Sequence, residues 1–137
     1  GLHAYLRGTG IELLANSDNV LRAGLTSKHI DVPELLKLTD PAAEVPVITG
    51  RAIGDGVTEY DAPIPEFAFY TVDLAGDEVR LPGEGPRVVM VLEGSATLRA
   101  HGETVKAANG ESVFVPASDG AVAASGPAKM VVAAPGE

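Results

Sequence analysis

The chain has 137 residues, enough for one domain with a core of its own. Ten Lys and Arg against nineteen Asp and Glu give a net charge of −9, which excludes nucleic acid as the main ligand but leaves room for a small phosphorylated molecule held by a few local cations. The lack of cysteine rules out disulfides and thiolate metal sites and fits a reducing compartment such as the cytoplasm, and no leader or membrane-spanning apolar run is visible.

In residues 1–24, short apolar runs are broken by Gly8, Gly10 and Ser17-Asp18-Asn19, a pattern that predicts strands joined by tight turns. On a first strand His3 and Tyr5 share a face. On a second, over residues 10–16, Glu12 and Asn16 share one face while Ile11, Leu13 and Ala15 fill the other. Asp18 reads first as a turn former whose carboxylate caps backbone amides, a role that also makes it rigid. Arg22 and Lys28 lie six residues apart around Gly24, close enough for both cations to curl about one phosphate. The remaining histidines, His29 and His101, read as surface residues.

Asp31-Val32-Pro33-Glu34 predicts a helix start, with Asp31 as cap, Pro33 in the first turn and Glu34 at the reciprocal position. The helix should stop near Leu38, before Asp40-Pro41. Residues 39–65 are rich in Pro and Gly and read as a linker with strand-like pieces at Val45–Ile48 and Val57–Tyr60. From Glu66 onward the pattern is all-β. Strands are expected over 67–72, over 87–92 (buried on nearly both faces), and over 95–100 after a turn at Glu93-Gly94. Further strands are expected at 104–107, 112–115, 121–124 and 128–133. Such short, evenly punctuated strands predict a small antiparallel sandwich or barrel.

His3, Tyr5, Gly8, Glu12, Ala15, Ser17, Asp18, Asn19, Arg22, Gly24, Thr26, Lys28 and Asp31 fall in step, without a gap, with the signature of type I mannose-6-phosphate isomerases, which the segment resembles. Leu14 stands where that signature has Met, and Ser27 where it has Pro. The resemblance implies zinc as cofactor with His3 as one ligand, the others (a Gln, a His and a Glu) lying upstream of this chain. It implies Arg22, Asp18 and Glu12 as catalytic residues, and Lys28, Tyr5 and Asn19 as substrate-binding ones. The implied reaction interconverts mannose 6-phosphate and fructose 6-phosphate by moving a proton between C1 and C2 through a cis-enediol, with Glu12 either supporting the metal ligand or joining the proton transfer.

The Val-Leu-Glu-Gly turn at 91–94 and the Asn-Gly-Glu-Ser-Val-Phe-Val-Pro-Ala run at 109–117 resemble the two characteristic turns of a cupin barrel. Where a metal-binding cupin places a Glu ligand, this chain has Arg87. The expected fold is therefore all-β with a short helix: a cupin-like jelly-roll barrel over 66–137 that holds no metal, preceded by the tail end of a first, catalytic cupin over 1–30 and by a helix and linker over 31–65. On this reading the chain is the C-terminal part of the enzyme and lacks most of the zinc ligands. Its opening strands would pair with the N-terminal part or with a second copy of the chain. Two other readings stay open: a sugar-phosphate-binding module without chemistry, and a structural cupin module. No nucleic-acid or membrane partner is expected.

Overall fold

A computed structural model describes residues 6–14, 16 and 20–136. They fall into two compact units, Gly1–Val47 and Ile48–Glu137.

In the first unit the helix forms as its cap predicts. Helix α1 spans Val32–Leu38, and the Asp31 carboxylate accepts the Glu34 N–H at 3.0 Å. Glu34 does not reach back to close a reciprocal box; its carboxylate takes the Lys37 ammonium at 3.3 Å instead. At the other end the Thr39 hydroxyl donates to the Leu35 carbonyl at 2.6 Å. Replacing Asp31 by Ala orphans the capped N–H and is expected to cost about 1 kcal/mol of helix stability. Cα chemical shifts of residues 32–38 moving toward coil values would register it.

Of the strands expected before Arg22, the one carrying His3 and Tyr5 lies outside the described residues; residues 10–14 and 16 form no strand, α1 is the only regular element among the described residues up to Val47, and Val45–Ile48 is not a strand. The reason is a missing ladder. A strand is stable only when its N–H and C=O groups meet a neighbour, and no partner strand is present among these residues. Leu6, Leu14, Val20 and Leu25 are accordingly exposed.

The second unit is built of nine strands. They are β1 (Arg51–Gly54), β2 (Val57–Tyr60), β3 (Phe67–Asp73), β4 (Val79–Arg80), β5 (Arg87–Ala100), β6 (Glu103–Ala108), β7 (Ser112–Val115), β8 (Ala123–Ser125) and β9 (Ala128–Pro135). All pairings are antiparallel. Two of these strands, β1 and β2, lie in the Pro/Gly-rich stretch. Of these, β2 matches the strand-like piece read there, while β1 had no alternation of its own to reveal it.

Strand β5 organises the unit. Its first half pairs with β7 on one side and β9 on the other, and β9 continues through β3 and β2 to β1. Its second half pairs with β6 and β8, and β8 with β4. A single strand thus runs from one sheet into the other. The turn expected at Glu93-Gly94 is instead a bulge, marked by a register shift between Val91 and Glu93 against β9 and by Gly94 at φ +73°. One extra residue bends a strand without reversing it.

The bulge also moves the inward face by one residue. Before it, Arg87, Val89 and Val91 point inward; after it, Ala96 and Leu98 do. The run 87–92 is therefore not buried on both faces, and Val88 is 47% exposed on the outer side. Between the sheets lie Val72, Leu74, Leu81, Val89, Val91, Met130 and Val132, each almost fully enclosed. The chain reverses after β5 at His101-Gly102, both with positive φ, as the commonest two-residue hairpin loop requires. This two-sheet, bent-strand arrangement is the jelly-roll expected from the sequence.

Candidate functional site

Of the sequence-derived site residues, His3, Tyr5, Asp18 and Asn19 lie outside the described residues. Glu12 and Lys28 lie on exposed, irregular backbone, and Arg22 is half-buried. The Lys28 N–H donates to the Thr26 hydroxyl at 3.2 Å, a short side-chain turn that fixes the local backbone from which Lys28 projects. His29 is exposed, as read. His101 is exposed on the hairpin tip, with Nε2 3.3 Å from the Ser118 carbonyl. No group of three His, Cys, Asp or Glu among the described residues is placed to hold a metal ion. These residues do not by themselves make a zinc site.

The barrel contains a feature that composition and spacing did not reveal. Arg87, at the start of β5, is 2% exposed, the one buried charged residue among those described. Its Nη1 donates to the Gly83 carbonyl at 3.3 Å and its Nη2 to the Gly120 carbonyl, so one guanidinium ties together the loops before β5 and before β8. Its Nε has no hydrogen-bond partner. Burial, and next the neighbouring Arg80 charge, pull the Arg87 guanidinium below its ordinary range; Asp119 and Glu84 oppose them. A cavity of about 740 Å³ lies beside this group, lined among others by Tyr70, Arg80, Leu81, Gly83 and Glu84. The only sequence signal was an arginine at a position of inward parity, where an apolar residue or a metal ligand was expected.

The ion pairs of this unit lie at the surface. Arg99 meets Glu78 at 3.1 Å, and Lys129 meets Glu93 at 3.1 Å beside the bulge. The Glu93 carboxylate raises the Lys129 ammonium above its ordinary value, but solvent screens both, so the pair adds little to stability. No helix among the described residues is long and apolar enough to cross a membrane.

Known proteins resemble this chain along most of its length. Residues 57–135, more than half of the chain, match the model of the mannose-6-phosphate isomerase cupin domain. The mannose-6-phosphate isomerase of Salmonella typhimurium is 37% identical over 130 residues, covering 93% of this chain and 33% of that protein. Mannose-6-phosphate isomerase 2 of Arabidopsis thaliana is 39% identical over 118 residues, covering 84% of this chain and 27% of that protein. Among solved structures, the Salmonella typhimurium enzyme bound to its substrate fructose 6-phosphate and to zinc superposes with a TM-score of 0.75 at 34% identity, over 90% of this chain and 32% of that one. A zinc-bound mannose 6-phosphate isomerase gives the same TM-score at 35% identity, again over 90% and 32%. The chain spans about a third of the length of the curated relatives it matches. By sequence signature, barrel topology and superposition alike, it belongs to the mannose-6-phosphate isomerase family.

Proposed function

We propose that this chain contributes part of the active site of a zinc-dependent aldose–ketose isomerase acting on mannose 6-phosphate and fructose 6-phosphate in the cytoplasm. The observation that carries the reading is the gapless match of residues 3–31 to the family signature, in a chain whose relatives include an enzyme crystallised with zinc and fructose 6-phosphate. In this reading residues 1–30 complete a catalytic cupin, and the barrel, whose first two strands lie within the segment read as a linker, holds no metal. The exposed apolar side chains of residues 6–25 support it, since they are what a strand pair would bury against the rest of a catalytic domain.

His3 supplies one imidazole to zinc, and the remaining ligands come from the other two thirds of the enzyme. Zinc, when bound, supplies Lewis acidity at the sugar carbonyl. Lys28 holds the phosphate as a point charge, with Tyr5 and Asn19 orienting the sugar. Arg22 stabilises the negative charge that develops on oxygen as the proton leaves C1 or C2, and the cis-enediol forms. Asp18, held by its turn, positions a hydroxyl or a proton-transfer partner, and Glu12 supports the metal ligand or takes part in the transfer.

The test replaces the corresponding third of the Salmonella typhimurium enzyme with this chain and measures isomerisation with and without a zinc chelator. Zinc-dependent turnover is expected. A folded, zinc-loaded chimera without turnover would overturn the assignment in favour of a module that binds sugar phosphate but performs no chemistry.

A further inference from the structure

The barrel holds a buried positive charge with no ion-pair partner among the described residues. Arg87 is enclosed between the sheets, yet no carboxylate among the described residues lies within ion-pair distance of it. Two carbonyls satisfy part of the fork, and Nε is left without an acceptor. A buried ion in this state is costly, and folded proteins normally give it a counter-charge. The nearest ionic neighbours make matters worse as well as better. Arg80, on the edge strand β4, repels Arg87, while Asp119 and Glu84 act on it only from a distance. Arg80 itself makes no ion pair with any described residue.

Gly83 connects the buried group to open space. Its carbonyl accepts from Arg87, a Cβ built on it would lie 3.8 Å from the Arg87 Cδ and 3.5 Å from the Tyr70 ring, and it lines the 740 Å³ cavity together with Tyr70 and Arg80. Arg80 therefore lines the mouth directly, and the Arg87 guanidinium is buried behind the Gly83 that lines it. The acidic side chains that share this mouth, Asp55 and Glu84, are exposed.

We propose that the barrel mouth at Arg80 and Arg87 is an oxyanion site of the phosphate class. The anion is gripped directly by Arg80 and favoured by the fixed charge of Arg87 behind Gly83. The role of Arg87 here is electrostatic positioning, with its fork held by the Gly83 and Gly120 carbonyls. This site belongs to the barrel and is independent of the roles assigned to Arg22 and Lys28.

The probe is inorganic phosphate, titrated into the 137-residue chain by calorimetry, with chloride at matched ionic strength as the control. Phosphate is expected to bind where chloride does not. Arg80→Ser, at an exposed position, keeps the fold and is expected to weaken binding about tenfold or more, as loss of a charge-assisted contact should. All titrations are made in the Arg22→Ala, Lys28→Ala background, which removes the two cations read above as phosphate ligands, and phosphate is expected still to bind there. Arg87→Lys keeps the buried charge but not the fork and is expected to weaken binding less than Arg80→Ser. In that background, undiminished binding by Arg80→Ser or no heat beyond the chloride control would each overturn the site.

Discussion

In the chimeric enzyme described above, Arg22→Ala is expected to lower kcat by about 10²–10³ while changing KM far less. The asymmetry follows from where charge appears. In the ground state the sugar carbonyl carries only a partial charge, whereas proton removal puts a full negative charge on an oxygen; a guanidinium aimed at that oxygen is therefore worth most in the transition state. The phosphate carries the same charge throughout, so Lys28→Ala is expected to raise KM with a small effect on kcat. Arg22→Lys separates charge from geometry. It keeps the cation but loses the planar fork, and should recover only part of the lost rate. If Arg22→Ala raised KM and left kcat intact, Arg22 would be a phosphate ligand and the assignment of developing charge to it would be wrong.

Much of the barrel was legible because alternation and turn chemistry are local. The β5–β6 hairpin could be read from His-Gly, the β6–β7 turn from Asn-Gly, and the cap of α1 from Asp31 three residues ahead of Glu34. Three things were not legible. A glycine after Glu93 is compatible with either a reversal or a bulge, and only the pairing of the second half of β5 with β6 and β8 decides between them. Strands β1 and β4 are short edges whose ladder partners lie eight and forty-three residues away at Arg51↔Glu59 and Arg80↔Ala123, so their own sequence carries little signal. The strand expected over residues 10–16 was read from real alternation, but the described part of it has no neighbouring strand, and alternation alone does not make a sheet.

The candidate site divides along the same line. The opening signature is a dense run of polar types at fixed spacing, so resemblance exposes it even though His3, Tyr5, Asp18 and Asn19 fall outside the described residues. The Arg80–Arg87 mouth is the opposite case. Its members come from two strands and a loop, and Arg87 looks ordinary until the bulge fixes which face of β5 points inward. The sequence shows an arginine; only the fold shows that it is buried and short of an acceptor.

The bulge itself gives a large expected stability effect. Gly94→Ala should destabilise the barrel by about 3–5 kcal/mol, a large share of the stability of a domain this size. Two costs add. Gly94 sits at φ +73°, where a side chain costs about 1–2 kcal/mol. A Cβ there would also stand 1.9 Å from the Pro127 carbonyl oxygen and 3.0 Å from its carbon, both backbone atoms that cannot swing away as a side chain would. Relieving that overlap means parting β5 from the start of β9 at the Gly94↔Ala128 pair, where the strand leaves one sheet for the other. Gly102 is the internal control. Its φ is +81°, nearly the same, but nothing lies within 4 Å of its Cβ position. Gly102→Ala should therefore lose only the conformational part, about 1–2 kcal/mol. The gap between the two variants in urea unfolding isolates the cost of the close backbone approach. Equal midpoints would mean that β5 does not bend against Pro127, and the account of how one strand joins both sheets would fail with it.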